Sequence, residues 1–265
     1  MKVYISADIE GVTGTVSWED TGGSGADYGT YREQMTAEVA AACEGTLNAG
    51  ADEVWVKDSH GAGRNLLPAK LPKEVKLIRG RRGHPFMMVE GLDGSFDALM
   101  MVGFHSRAGS DANPLAHTVS GSASHIRIND RYASEMLMHT YAAATVSVPL
   151  VFLSGDQGLC DDVASLNPNI GTVAVKEGVG ELAITIHPEL AVERIREGAE
   201  AAIEGDPSAC AIELPDHFEV EVRYKEHMTA RRMSFYPGAS LKEPFVLRFE
   251  TDDYFEVLRL LMFVL

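Results

Sequence analysis

Cysteine is scarce in this sequence. Cys43, Cys160 and Cys210 are an odd set with no Cys-x-x-Cys spacing, which argues against a disulfide framework or a thiolate zinc knuckle and fits a reducing compartment. Long apolar runs are also missing: no stretch approaches the roughly 18 uncharged residues needed to cross a bilayer. The N-terminus opens directly into a strand pattern with Lys2 as its positive charge, so no export signal is expected and a cytoplasmic setting is. Basic residues are few, 23 Lys and Arg against 39 Asp and Glu, and the net charge of -16 removes the clustered cations that nucleic acid or an anionic membrane would need. The glycines form neither a Gly-x-Gly-x-x-Gly nor a Gly-Lys-Ser/Thr signature, and no Gly-x-Ser-x-Gly elbow occurs. Nucleotide binding and serine-hydrolase chemistry are both disfavoured.

What is present is a repeated ending. Val3-Tyr4-Ile5-Ser6-Ala7 runs into Asp8 and Glu10, Val54-Trp55-Val56 into Asp58 and His60, and the apolar run 98–104 into His105. If the runs are parallel strands, their carboxyl ends meet in one crevice. Two carboxylates and two imidazoles gathered from distant parts of the chain are the donor set of a hydrolytic metal centre.

The 265 residues are enough for one large α/β domain with a smaller appendage. A strand at 2–8, a Gly-rich loop, a helix at 31–49 closing on Gly50 and a strand at 53–57 form a βαβ unit. Further strands are expected at 75–79, 98–104 and 150–153, with a helix at 134–144. From about residue 189 a helix, two strands and a terminal helix suggest a two-layer α+β region. The expected architecture is therefore α/β, a mainly parallel sheet flanked by helices over residues 1–188, with a smaller α+β appendage over 189–265.

Asp8 and Glu10 are two residues apart, so in extended backbone both side chains point to one face. Two carboxylates that close repel, and a divalent cation relieves the repulsion. Taken alone each residue has a bland explanation, Asp8 and Glu10 as solvated or capping acids, His60 and His105 as polar loop residues. Their joint placement at strand ends favours a metal. Asp58 is placed to orient the His60 ring. His117 lies in a loop near the crevice, and Glu135 opens a helix, where a glutamate ordinarily complements the helix dipole. His125, His139, His187, His217 and His227 read as structural or surface residues.

Taken in order, Ala7-Asp8-Ile9-Glu10-Gly11, Lys57-Asp58-Ser59-His60, Val89-Glu90-Gly91-Leu92, Gly103-Phe104-His105-Ser106-Arg107-Ala108, His117 and Ile128-Asn129-Asp130-Arg131 with Glu135 closely resemble the DppA-type zinc D-aminopeptidases. Ser154-Gly155-Asp156 and Ala174-Val175-Lys176 continue the match, which thins in the C-terminal quarter. The resemblance implies two Zn2+ per subunit, held by Asp8, Glu10, His60, His105 and Glu135 with Asp8 as the bridge, and His117 as the catalytic residue. The donors also suit manganese or cobalt. It further implies a homodecamer of two stacked pentameric rings, with active sites facing an inner chamber, acting on short peptides with an N-terminal D-amino acid such as D-Ala-D-Ala.

The rival readings are weaker. An L-specific aminopeptidase or another metal-dependent amidohydrolase would keep the metals and change the substrate. A phosphoesterase would want a cation for phosphate, yet no Lys or Arg lies between Asp8 and Tyr31. A non-catalytic peptide-binding transport component would need an export signal and no convergent metal ligands.

Overall fold

Strand β1 (Lys2–Ala7) is buried from its second residue onward, because it lies in the middle of a sheet covered on both faces. The computed structural model describes every residue from Met1 to Leu265. After β1 come α1 (Trp18–Thr21), α2 (Tyr28–Asn48), β2 (Glu53–Asp58), β3 (Lys76–Ile78), β4 (Ala98–Phe104), β5 (Ala123–Ile128), β6 (Arg131–Tyr132) and α3 (Glu135–Ala144). The second half runs β7 (Leu150–Asp156), α4 (Gln157–Leu166), β8 (Gly171–Val179), β9 (Leu182–Thr185), α5 (Pro188–Glu204), β10 (Phe218–Tyr224), α6 (His227–Met233), β11 (Ser240–Glu243), β12 (Val246–Thr251) and α7 (Tyr254–Val264).

Seven strands form the main sheet in the order β3-β2-β1-β4-β7-β8-β9, parallel except for the β8–β9 hairpin. The expected α/β class and flanked parallel sheet are borne out. The registers align Ala7 with Asp58 on one side and with Val102 on the other, so β1 and β2 finish level and β4 runs two residues further, to Phe104. All seven residues of β4 and of β7 are buried, which explains why these runs carry no polar alternation. Helix α2 packs on β1, β2 and β4, with α5 beside it against β7 and β8; α3 reaches β4 and is backed by α7.

The second sheet, in the order β11-β12-β10-β5-β6, is antiparallel. Two of its strands precede residue 188, whereas α5, beyond it, packs on the main sheet. A cut of the chain at 188 therefore does not correspond to a division in space. The physical reason is the long-range pairing of β5 with β10, which gives the second sheet its centre and leaves no local mark in the sequence. Tyr254 of α7 donates its hydroxyl to Met138 O of α3 at 2.9 Å and packs on Phe218, so the two sheets share one continuous core.

Candidate metal centre

The chain leaves β1 at Ala7 and folds back at once over the end of β4. Asp8 N donates to Val102 O at 2.9 Å, Gly11 N to Gly103 O at 2.8 Å, and Val12 N closes a turn onto Ile9 O at 3.1 Å. Asp8 and Glu10 thus converge through a turn, not through the extended backbone that their spacing suggested. Glycine is required on both sides of this crossing. A Cβ on Gly11 would stand 1.7 Å from Phe104 O, and one on Gly103, whose φ is +73°, would stand 2.4 Å from Asp8 O. Gly103→Ala is therefore expected to lower stability by about 1–3 kcal/mol from backbone strain alone, with a steric cost of similar size added. Differential scanning calorimetry should show a Tm several degrees lower; an unchanged Tm would refute the close-approach account.

Around Asp8 the structure assembles all six singled-out residues. His60 Nδ1 lies 3.3 Å from Asp8 Oδ1 and 2.9 Å from Glu10 Oε2. His105 Nε2 lies 3.6 Å from Asp8 Oδ2 and 3.4 Å from Glu135 Oε2, and His117 Nε2 is 3.7 Å from Glu135 Oε1. The His105 and His117 rings stack with centroids 4.4 Å apart. Asp8, Glu10 and His105 form one group whose ligand atoms all lie within 4.8 Å of one another, and His105, His117 and Glu135 form a second. Asp8 and Glu135 each turn their two oxygens to different histidines, Asp8 to His60 and His105, Glu135 to His105 and His117.

The donor chemistry fits a cation. Glu10 Oε2 and His105 Nε2 are buried without a hydrogen-bond partner, an arrangement that costs about 1–3 kcal/mol per group unless something else binds them. His105 Nδ1 sits 2.9 Å from Ser106 O and His117 Nδ1 2.9 Å from Leu115 O. Each Nδ1–H donates to its carbonyl, which leaves the Nε2 lone pair turned into the site.

Electrostatics points the same way. Burial and the Glu10 carboxylate push Asp8 up to about 8. Burial also pushes Glu10 up, but the charge of the neighbouring His60 prevails and holds it well below the usual range. His60 is disfavoured as a cation by burial yet raised to about 11 by Glu10 and Asp8, and His105 to about 10 chiefly by Glu135. Glu135, which burial would raise, is held to about 2 by His105. Three buried carboxylates thus demand compensating positive charge, which divalent ions supply more completely than imidazolium protons.

The supporting residues are only partly those anticipated. Asp58 does not orient the His60 ring. Its oxygens accept from Asn65 N at 2.6 Å, Leu66 N at 2.8 Å and Asn65 Nδ2 at 2.7 Å, and Asn65 Nδ2 in turn donates to His60 O at 2.8 Å. Asp58 therefore shapes the loop that carries His60. Asp156 caps α4 through Leu159 N at 2.9 Å and also accepts from Ser106 N at 2.7 Å and Asn113 Nδ2 at 2.9 Å. Asn113 Nδ2 also donates to Glu10 O at 3.2 Å. The buried Lys176 ammonium donates to Glu10 O, Thr15 O at 2.7 Å and Thr15 Oγ1 at 2.8 Å, fixing the turn behind Glu10 from three strands away. Its one sequence signal is a lysine beside Val175 in an apolar strand. His139, set aside as structural, is a satisfied core residue, bonded to Glu135 O at 2.6 Å and accepting from Met88 N at 3.3 Å.

The site opens into a cavity of about 300 Å³ walled by Trp18, Arg81, Met87, Met88, Val119 and Gly121 besides the acids and histidines. A larger cleft of about 760 Å³ lies between α2 and the start of α5, but its charges pair with each other, Lys70 with Glu33 at 3.2 Å and Arg196 with Glu44 at 2.9 Å. Convergent unpartnered groups, not volume, mark the functional cavity. No helix is long and apolar enough to cross a membrane.

Comparison with known proteins places the chain in a family. The family model for Peptidase M55, described as D-aminopeptidase, matches residues 1–263. A D-aminopeptidase of Bacillus subtilis (strain 168) is 30% identical over 258 residues, covering 97% of this chain and 93% of the relative. Among solved structures, the zinc-dependent D-aminopeptidase DppA from Bacillus subtilis, a self-compartmentalizing protease, aligns with a TM-score of 0.94 at 28% identity, over 100% of this chain and 96% of that one. The chain belongs to the M55 peptidase family of D-aminopeptidases.

Proposed function

We propose that this chain hydrolyses short peptides carrying an N-terminal D-amino acid, of the D-Ala-D-Ala type, at a site for two Zn2+ ions. The carrying observation is Asp8, buried between His60 with Glu10 on one side and His105 with Glu135 on the other, with Glu10 Oε2 and His105 Nε2 unpartnered. In this reading Asp8 would be shared between the two ions, Glu10 and His60 would help hold one of them, and His105 and Glu135 the other. The zinc dependence of DppA supports zinc over manganese or cobalt. When bound, zinc supplies Lewis acidity that polarises a carbonyl and acidifies water.

His117 is the catalytic residue in this proposal. Its Nδ1 is committed to Leu115 O, and Trp18 packs edge-on at 5.2 Å, so the ring is held with Nε2 toward the cavity. Nε2 takes a proton from the attacking water and returns it to the leaving amine, the ordinary exchange of a general base that becomes a general acid. Assembly as a homodecamer of two pentameric rings, in the cytoplasm, completes the reading. Two separate exposed apolar patches, Val179, Leu182 and Ile184 on the β8–β9 edge and Met228, Phe235 and Phe263 around α6 and α7, suit the unlike-face contacts from which rings close.

Elemental analysis of the purified protein is expected to find about two zinc ions per chain, as in two-metal hydrolases. The same protein should release D-alanine from D-Ala-D-Ala and leave L-Ala-L-Ala intact. Faster cleavage of the L-dipeptide would reject the stereochemical assignment.

A further inference from the structure

Arg81 stands out on the cavity wall. It is the one lysine or arginine among the lining residues, in a cavity otherwise rich in carboxylates. Its side chain is nearly uncommitted, with a single long contact from Nη2 to Ser59 O at 3.5 Å and no ion pair. Its neighbour Arg82 differs: Nε bonds the buried Glu90 at 3.0 Å, and Arg82 N does so as well. Yet Arg81 is not carried on a loose loop. Gly80 N donates to Gly63 O at 2.8 Å, Gly63 N to His60 O at 2.9 Å, and the Lys57 ammonium to Gly80 O, so the segment is pinned to the loop that holds His60. A guanidinium is thus positioned beside His60 with most of its donors free.

Resting on the peptidase reading above, we infer that Arg81 binds the C-terminal carboxylate of the substrate and restricts the enzyme to very short peptides with a free C-terminus. A peptide in this cavity has two unlike ends. Cleavage places the first peptide bond beside His117 and the convergent acids and histidines, and in a dipeptide the C-terminal carboxylate lies only one residue beyond that bond, within a cavity whose one free cationic side chain is Arg81. Arg81 offers paired N–H donors that match a carboxylate. The cavity volume of about 300 Å³ lies at the bottom of the range for small-ligand sites, which suits a dipeptide better than a longer chain.

The test compares D-Ala-D-Ala with D-Ala-D-Ala amide on the zinc-loaded wild type, Arg81→Ala and Arg81→Lys. The wild type should prefer the acid by about 10- to 100-fold in kcat/KM, the scale of a charge-assisted pair. In Arg81→Ala the preference should collapse toward one through a higher KM for the acid, and Arg81→Lys should restore part of it. A binding readout stands beside the kinetics: calorimetric titration of both compounds into His117→Ala should show the same preference, lost in the double variant with Arg81→Ala. An unchanged acid-to-amide ratio in Arg81→Ala overturns this inference alone. Failure of the wild type to release D-alanine from either compound overturns the peptidase reading, and the inference with it.

Discussion

Asp8→Ala is expected to cost the protein its metal and its activity together. Asp8 faces His60 through Oδ1 and His105 through Oδ2, and is buried at 2% exposure, so no neighbouring group can take its place. Loss of an outer partner of a metal ligand lowers affinity or activity by about 10- to 100-fold, and loss of a bridging ligand should exceed that. Zinc content should fall below that of the wild type, and D-alanine release should drop by more than about 100-fold, beyond the outer-partner scale. Circular dichroism should remain native, because removing Asp8 also removes a buried acid whose charged form is disfavoured first by burial and then by the Glu10 carboxylate. A variant that keeps its full complement of zinc would dismiss Asp8 as the bridge.

His117→Ala should separate chemistry from metal binding. Asp8, Glu10, His60, His105 and Glu135 keep their mutual contacts without it, and the ring that is lost is more exposed than His105. Zinc content should match the wild type while kcat falls by about 10²- to 10⁴-fold, the usual worth of a positioned proton-transfer group. The geometry makes the alternative outcome informative, since His117 shares a ligand-capable group with His105 and Glu135. Loss of zinc in this variant would make His117 a ligand, and retained activity would remove it from the reaction.

Much of the centre could be read from the sequence because it sits where local patterns change. Asp8, His60 and His105 each end an apolar run, and a parallel sheet must bring such ends together. Glu135 and His117 had no such signal of their own; the resemblance supplied them. Less legible were the groups whose roles depend on direction after a strand or on contacts across the fold. Asp58 follows the strand rule, yet its side chain turns to Asn65 and Leu66 because the loop curls beneath it. Lys176, Asn113 and Asp156 act on Glu10 and Ser106 from positions remote in sequence. Val119 also gave no warning: a β-branched residue at φ +61° points its N–H at Glu135 Oε1, 2.6 Å away. Strand β5 was hidden for a related reason, since its partner β10 lies almost a hundred residues downstream.

The scattering of the acids and histidines along the chain has a mechanical meaning. The three cysteines are buried and unpaired, so nothing covalent joins distant segments. Two cations sharing Asp8, one held also by His60 and the other by His105 and Glu135, would close loops of roughly 30 to 50 residues and longer, the same service a set of disulfides renders a secreted protein. Only Asp8 and Glu10 are neighbours in the unfolded chain, which therefore offers the ion a poor grip. Loading then favours the folded form by mass action, and chelation removes cross-links as well as a reagent.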